Sequence, residues 1–194
     1  MKQNMTEKVI TIVSGLPRSG TSMLMKMLEA GGMEILTDNI RTADEDNPKG
    51  YYEFEKVKEL EKDKSWLEGA KGKAVKIISA LLGHLPPNYT YKIIFVRRKM
   101  DEVLASQRQM LIRRGQPTDE VSDEKMKSMF LKHVQQVEDW LAKQPNIEVL
   151  YINYNEILAQ PEPHSEKISQ FLGNILNTRN MVSVVDKNLH RQRR

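Results

Sequence analysis

The segment Gly15–Ser22, GLPRSGTS, has the composition of a loop that binds an anion. Its two glycines let the backbone turn tightly and point several N–H groups inward, at the start of a segment with helical spacing. Arg18 adds a cation that can donate to two oxygens at once, and Thr21 and Ser22 add hydroxyls. The ATP-binding loop GxxxxGK[ST] has a lysine where this chain has Thr21, which weakens an ATPase interpretation. The loop still predicts a phosphate or sulfate site.

Arg98 and Ser106 form a second candidate anion site. Arg98 follows the apolar segment Tyr91–Val96, which has the composition of a buried strand, and Ser106 lies early in the next predicted helix. Both side chains can therefore reach one anion at the carboxyl edge of a parallel sheet. Arg97 directly precedes Arg98, so the sequence leaves open which of the two arginines contacts the anion.

These two segments resemble the sulfotransferases that use 3′-phosphoadenosine 5′-phosphosulfate (PAPS). PRSGTS is similar to their 5′-phosphosulfate loop, PKSGTT or PRSGTT, and VRRKMDEVLAS is similar to their 3′-phosphate segment, VxRxPxDVxxS. Met100 stands where that pattern has proline. Near the C-terminus, YINYNEILAQPEPHSEKISQFLG resembles the family's YEDLLxxP and FLG segment more weakly, and the family's C-terminal RKG motif is not evident.

The resemblance implies a small, bacterial-type sulfotransferase with a P-loop-like fold. PAPS would be the donor, held on its 5′ side by Pro17, Arg18, Ser19, Gly20, Thr21 and Ser22 and on its 3′ side by Arg98 and Ser106. Arg18 would also stabilise the phosphate that leaves during transfer. No metal is required. The acceptor would be a small molecule or a biopolymer with a hydroxyl or amine. No motif in the sequence identifies it.

The base that takes the acceptor's proton is less well defined. Lys76 resembles a family lysine that precedes the catalytic histidine, but Ile78 occupies the histidine's place. Golgi-type relatives use a carboxylate after the first helix, and Glu53 and Asp38 are the candidates here. Gly50 and neighbouring tyrosines favour Glu53 because they would half-bury its carboxylate. We rank Glu53 first, Asp38 second and His84 third; His133 lies on an apolar helix face and is expected to belong to the core.

The elements that must position these residues alternate between strands and helices. Strands are predicted at Val9–Ser14, Ala74–Ser79, Tyr91–Val96 and Ile147–Ile152, with a possible strand at Met33–Leu36. Helices are predicted at Thr21–Ala30, Glu53–Trp66, Asp101–Arg114, Asp123–Lys143 and Ser165–Leu172. This order predicts one α/β domain, residues 1–194, in three layers with a mostly parallel central sheet flanked by helices. The loops Thr37–Gly50 and Gly115–Ser122 would set specificity.

Composition limits the alternatives. The chain has 194 residues, 39% hydrophobic, no cysteine and a formal net charge of +4. Disulfides and thiolate catalysis are excluded, neither a signal peptide nor a membrane span is recognisable, and a cytoplasmic location is expected. The slight charge does not imply nucleic-acid binding. A kinase with a deviant phosphate loop and a noncatalytic nucleotide-binding module remain as alternative functions.

Overall fold

Four parallel strands form a single sheet in the computed structural model, which describes residues 9–38, 40, 50–118 and 120–186. They are β1 (Val9–Gly15), β2 (Ala74–Lys76), β3 (Thr90–Arg97) and β4 (Ile147–Asn153), in the order β2-β1-β3-β4. The two central strands pair from Val9 opposite Thr90 to Gly15 opposite Val96. Since the strands run in one direction, the segments that follow β1 and β3 leave the sheet at the same edge.

Six α-helices and three short 3₁₀ helices connect and cover the strands in the described part of the chain. The α-helices are α1 (Thr21–Ala30), α2 (Met100–Arg113), α3 (Asp123–Leu141), α4 (Tyr154–Ala159), α5 (Pro161–Phe171) and α6 (Thr178–Ser183). The 3₁₀ helices are Glu55–Glu59, Ser65–Ala70 and Ser79–His84. None of the helices in the ranges described is both long and apolar enough to cross a membrane.

Alternating side chains of the central strands build two separate cores. Val13 and Ile94 face a core shared with α1 and α4–α6, whereas Ile12 and Ile93 face a core shared with the 3₁₀ helices and the end of α3. Successive side chains of a strand point to opposite faces of the sheet, so both faces of β1 and β3 are buried. The predicted α/β fold, with a parallel sheet flanked by helices on both faces, is confirmed.

The prediction of one helix over Glu53–Trp66 is wrong. Two separate 3₁₀ helices occupy this region, and the Asp63 carboxylate accepts a hydrogen bond of 2.8 Å from the backbone N–H of Ser65 between them. Such local side-chain bonds compete with helical backbone bonds. The next strand is also shorter than predicted, because β2 ends at Lys76 and a 3₁₀ helix begins at Ser79. Met33–Leu36 forms a single bridge, Ile35 to Ala74, rather than a strand.

The amphipathic helix α3 packs on the protein through its C-terminal part. Leu141 is its one residue that is fully buried, and Val134, Val137 and Trp140 contact the core beside it. Met129, which shares the apolar spacing of this helix, lies nearer its N-terminus and is 55% exposed. The apolar spacing predicts the helix correctly, but tertiary packing covers only part of its apolar face.

Candidate active site

The segment Gly15–Ser22, which we call the phosphate loop after its predicted ligand, joins β1 to α1 at the carboxyl edge of the sheet. Gly20 precedes α1 with a φ of 103°, and a methyl group at this position would overlap the Tyr154 ring, so only glycine fits without rearrangement. Arg18 also has a left-handed backbone, with a φ of 70°, which is unusual for a residue with a Cβ atom. Such conformations persist where the surroundings hold them and often mark functional sites.

The loop presents groups suited to an anion. No acidic residue lies in the first turn of α1, and its N-cap residue Gly20 has no side chain to cap it, so the amide groups at this helix N-terminus suit an anion. The Ser19 hydroxyl is buried and has no hydrogen-bond partner among the described residues. Thr21 and Ser22 are partly exposed in the first turn, and Pro17 is exposed. An incoming anion would therefore supply a partner for the Ser19 hydroxyl and for the amides at the N-terminus of α1.

The two predicted anion sites lie in one place. The Arg18 Nε donates a hydrogen bond of 3.0 Å to the Ser106 Oγ, although the two residues are far apart in the chain. This contact forms because β1 and β3 are neighbours, so the loop after β1 faces the first turns of α2 after β3. The spacing of the two motifs along the sequence could not show this contact.

Arg98 lies against the phosphate loop and is almost fully enclosed. Its Nε donates to a Glu102 carboxylate oxygen at 2.9 Å, its Nη1 donates to the Arg18 carbonyl at 3.0 Å, and its guanidinium lies 4.5 Å from the Tyr154 ring centre. The side chains of Arg98 and Glu102 are 7% and 1% exposed. Asn155 donates to the other Glu102 carboxylate oxygen at 2.8 Å. Arg98 is therefore held in a fixed orientation beside the loop.

Sequence reasoning missed Glu102 and Tyr154 as parts of this site. A signal for Glu102 was present, because this acidic residue lies only four residues after Arg98, in the first turn of the helix that follows β3. Tyr154 carried no such signal. It follows β4, the strand beside β3, and only the sheet order brings it to the loop.

Arg97 points away from the loop. Its Nη2 forms an ion pair of 2.7 Å with the Glu138 carboxylate, and its guanidinium lies 4.2 Å from the Tyr151 ring centre. Neighbouring side chains at the end of a strand face opposite sides of the sheet, which separates the two arginines. Of the pair that the sequence left open, Arg98 is the one beside the phosphate loop.

Glu53 and Lys76 lie together next to the loop. The Lys76 Nζ donates a hydrogen bond to the Tyr51 carbonyl and forms an ion pair of 3.5 Å with the Glu53 carboxylate. The Ser22 hydroxyl donates to the same carbonyl at 3.4 Å. Lys76 is buried and Glu53 is half-buried. The Tyr51 carbonyl, which sequence reasoning missed, thus connects the phosphate loop to the lysine and the carboxylate.

Asp38 holds the segment that carries Glu53. Its two carboxylate oxygens accept hydrogen bonds from the backbone N–H groups of Glu55 at 2.6 Å and Ile40 at 3.1 Å, and the Thr37 hydroxyl donates to the Glu53 carbonyl at 2.8 Å. These bonds fit a structural carboxylate. Most of the predicted specificity loop Thr37–Gly50 lies outside the described residues, as do the C-terminal residues 187–194.

Tyr52 fixes the same segment from the other side. It has a left-handed backbone, with a φ of 52°, and its hydroxyl donates a hydrogen bond of 2.7 Å to the Glu29 carboxylate on α1. Burial, together with this bond to a negatively charged group, raises the pKa of Tyr52 well above its ordinary value, so the hydroxyl keeps its proton. The Glu53 backbone is therefore anchored on both sides.

A cavity of about 490 Å³ opens beside the Glu53–Lys76 pair. We call it the Glu53 cavity; its lining consists of Glu53, Phe54, Val57, Lys58, Lys76, Ile78, Leu81 and Arg114. Ile78 is 40% exposed there. His84 is half-buried at the end of a 3₁₀ helix and is not part of this lining. The His133 Nε2 lies 2.9 Å from the Ser79 Oγ, a contact between α3 and the 3₁₀ helix.

Comparison with known proteins identifies the family. The sulfotransferase domain family matches residues 9–192, nearly the whole chain. The chain belongs to this family. A sequence search with this chain finds no matching curated protein.

Solved structures show that the sulfotransferase domain has the family's P-loop-like α/β fold. It is similar to the mouse sulfotransferase SULT7A1 complexed with PAP, with a TM-score of 0.57 and 21% identity, covering 91% of this chain and 62% of that one. It is similar to the sulfotransferase STF1 from Mycobacterium tuberculosis H37Rv, with a TM-score of 0.54 and 13% identity, covering 93% and 72%. It is also similar to retinol dehydratase in complex with androsterone and inactive cofactor PAP, with a TM-score of 0.52 and 15% identity, covering 92% and 63%.

The sulfotransferase domain thus spans less than two thirds of the length of the mouse protein and of retinol dehydratase. Within the described ranges, no group of three or more histidine, cysteine, aspartate or glutamate residues could hold a metal ion.

Proposed function

We propose that the sulfotransferase domain transfers a sulfuryl group from PAPS to a hydroxyl or amine of an acceptor. The observation that carries this proposal is the Arg18–Ser106 hydrogen bond, which brings two anion sites to one place beside the Glu53–Lys76 pair. A donor with one anionic group at its 5′ end and another at its 3′ position needs two such sites. The PAP named in the mouse sulfotransferase structure and in that of retinol dehydratase is consistent with this donor.

The residues of the phosphate loop fit the 5′ side of PAPS. Arg18 supplies a charge, the buried Ser19 hydroxyl supplies a group without a protein partner, and α1 supplies amides at its N-terminus. Thr21 and Ser22 add hydroxyls in the first helical turn.

The 3′ side would be formed by Ser106 and Arg98. The described contacts of Arg98 use Nε and Nη1, so Nη2 remains outside these bonds. Arg98 is already oriented by Glu102 and Tyr154, so it would lose little side-chain entropy on binding the 3′-phosphate.

Sulfuryl transfer needs an acceptor oxygen in line with the bond that breaks. Glu53 takes the proton of the acceptor hydroxyl as that oxygen bonds to sulfur, and the bond from sulfur to the 5′-phosphate oxygen breaks. Arg18 and the amides of α1 stabilise the negative charge that remains on the phosphate. Lys76, held by the Tyr51 carbonyl, orients the Glu53 carboxylate toward the cavity. Asp38 supports this arrangement through the backbone, and no metal takes part.

A noncatalytic nucleotide-binding module is the second candidate function. The observation that favours it is Ile78, which lines the Glu53 cavity at the place where cytosolic relatives have the catalytic histidine. Loss of the base with retention of the phosphate loop would leave a domain that binds the nucleotide without turnover.

Ligand binding separates these functions from a kinase. Thermal unfolding should be measured with adenosine 3′,5′-bisphosphate, with adenosine 5′-monophosphate, and with ATP plus magnesium. We expect the bisphosphate to stabilise most, by about 2.7 kcal/mol at a hundredfold excess over its dissociation constant. Equal stabilisation by the monophosphate would contradict the 3′ site, and a preference for ATP with magnesium would favour the kinase.

Catalysis itself is tested with labelled PAPS and a panel of hydroxyl and amine acceptors. Transfer of the label to an acceptor would distinguish the enzyme from the binding module. Bisphosphate binding without transfer to any member of a broad panel would favour the module.

A further inference from the structure

One cation that lines the Glu53 cavity has no counter-ion among the residues that the structure describes. Lys76 pairs with Glu53 in the cavity, and Lys58 pairs with Glu55 at 2.7 Å. Arg114, which follows α2, is exposed and forms no ion pair within the described part of the chain. The other charges are therefore balanced locally, whereas the Arg114 guanidinium is available to an anionic group.

This anionic group would not belong to the donor. The cavity lining includes no residue of the phosphate loop and neither Arg98 nor Ser106. The donor anions would be held at the loop, whose Ser22 hydroxyl donates to the Tyr51 carbonyl, to which Lys76 donates a separate hydrogen bond. A ligand that contacts Arg114 thus occupies the space next to the Glu53 carboxylate, which is the place for an acceptor.

The remaining walls of the cavity are apolar. They are formed by Phe54, Val57, Ile78 and Leu81, and Ile78 exposes 40% of its surface. The volume of about 490 Å³ is within the range of small-molecule sites. Apolar walls favour a hydrocarbon part of the ligand because binding removes both surfaces from water.

We propose that the acceptor is an amphipathic hydroxy acid, whose anionic group binds Arg114, whose apolar part packs on these walls, and whose hydroxyl reaches Glu53. This inference rests on the proposed function and adds a substrate class to it. A carboxylate or sulfate suits the guanidinium because both accept two parallel hydrogen bonds from it. A neutral alcohol would make no charge-assisted contact with Arg114.

The test uses ω-hydroxy fatty acids of eight to twelve carbons and their methyl esters, which differ in charge but keep the hydroxyl and the chain. Calorimetry would measure their dissociation constants on full-length protein saturated with adenosine 3′,5′-bisphosphate. We expect the best acid to bind about 10-fold or more tightly than its ester, because one charge-assisted contact is lost in the ester. The same preference is expected in kcat/KM when label transfer from PAPS is measured.

Matched variants assign the preference to one side chain. Arg114→Met should abolish the difference between acid and ester, and Arg114→Lys should keep part of it. Arg108→Met is the control, since Arg108 is an exposed arginine of α2 that pairs with Asp123 and does not line the cavity. It should keep the full difference.

The outcomes of this acceptor test can be distinguished from those of the bisphosphate-binding test. Failure of the bisphosphate to bind would count against the proposed function, whereas bisphosphate binding with equal affinity for acid and ester would overturn the acceptor inference alone. A loss of preference in Arg108→Met as large as in Arg114→Met, or no binding of either probe to the bisphosphate-saturated protein, would also overturn it.

Discussion

The phosphate loop and the Glu53 cavity are connected through the Tyr51 carbonyl, which accepts hydrogen bonds from Ser22 and Lys76, but they are built in different ways. The loop leaves a central strand, and its backbone is fixed by left-handed residues, by a close tyrosine ring and by a buried ion pair. The cavity is walled by 3₁₀ helices, the end of a short strand and the end of α2. A site for a constant donor tolerates little change, whereas side chains on short elements can be exchanged to suit an acceptor.

The largest expected effect concerns chemistry in the cavity. Glu53→Gln should leave bisphosphate affinity unchanged and lower the single-turnover rate of sulfuryl transfer about 10²–10⁴-fold, because the amide keeps the shape but accepts no proton. Glu61→Gln, an exposed carboxylate change outside the cavity, is the matched control, and His84→Ala tests the third candidate base. A wild-type rate in Glu53→Gln would remove this residue from the mechanism.

Arg98 and Arg97 are adjacent in the chain, and their variants compare a buried ion pair with a partly exposed one. Arg98→Met should lower the free energy of unfolding by about 3–5 kcal/mol, because it leaves the Glu102 carboxylate buried without its cation. Arg97→Met should cost about 0–1 kcal/mol, since its ion pair is partly exposed. Urea unfolding measures both. Similar losses for the two variants would show that burial of the Arg98–Glu102 pair has no special effect on stability.

Ligand binding to the folded Arg98→Met variant tests the proposed contact of Arg98 with the 3′-phosphate. Arg98→Met should weaken the binding of adenosine 3′,5′-bisphosphate more than that of adenosine 5′-monophosphate, because it removes a contact to the 3′-phosphate. Arg18→Ala should weaken the binding of both ligands, because both carry the 5′-phosphate that Arg18 is proposed to contact. Equal loss for both ligands in Arg98→Met would place that arginine outside the 3′ site.

A pair of glycine variants tests how strictly the phosphate loop is fixed. Gly20→Ala should lower the free energy of unfolding by about 2–5 kcal/mol and disrupt bisphosphate binding, since backbone strain and overlap with Tyr154 add together. Gly32→Ala has a similar φ of 97° and open space around it, so it should cost only the strain, about 1–2 kcal/mol. Equal costs in urea unfolding would show that the ring contact contributes nothing.

The smallest expected effect concerns the support of the cavity. Asp38→Asn should lower the free energy of unfolding by about 1–2 kcal/mol, because one of its two bonds to backbone N–H groups is lost with the charge. Its transfer rate should fall less than that of Glu53→Gln. A fall as large as for Glu53→Gln with unchanged stability would instead make Asp38 the base.

The sequence alone determined the phosphate loop, the parallel sheet and the order of the main helices. These features depend on local rules, namely glycine at a tight turn, apolar strands and helical spacing, which act within a few residues. The boundaries of β1, β3, β4, α1 and α2 agree closely with the structure for this reason. The prediction of one helix after Glu53 failed because a local bond from the Ser65 N–H to the Asp63 carboxylate competes with helical backbone bonds.

Only the tertiary structure decided which residues meet. The Arg18–Ser106 bond, the burial of Arg98 on Glu102 and Tyr154, and the pairing of Glu53 with Lys76 each join segments separated in the chain or depend on burial. They follow from the strand order β2-β1-β3-β4, which places the ends of β1 and β3 side by side. Strand order is set by the total free energy of packing two cores, so no local pattern in the sequence reports it.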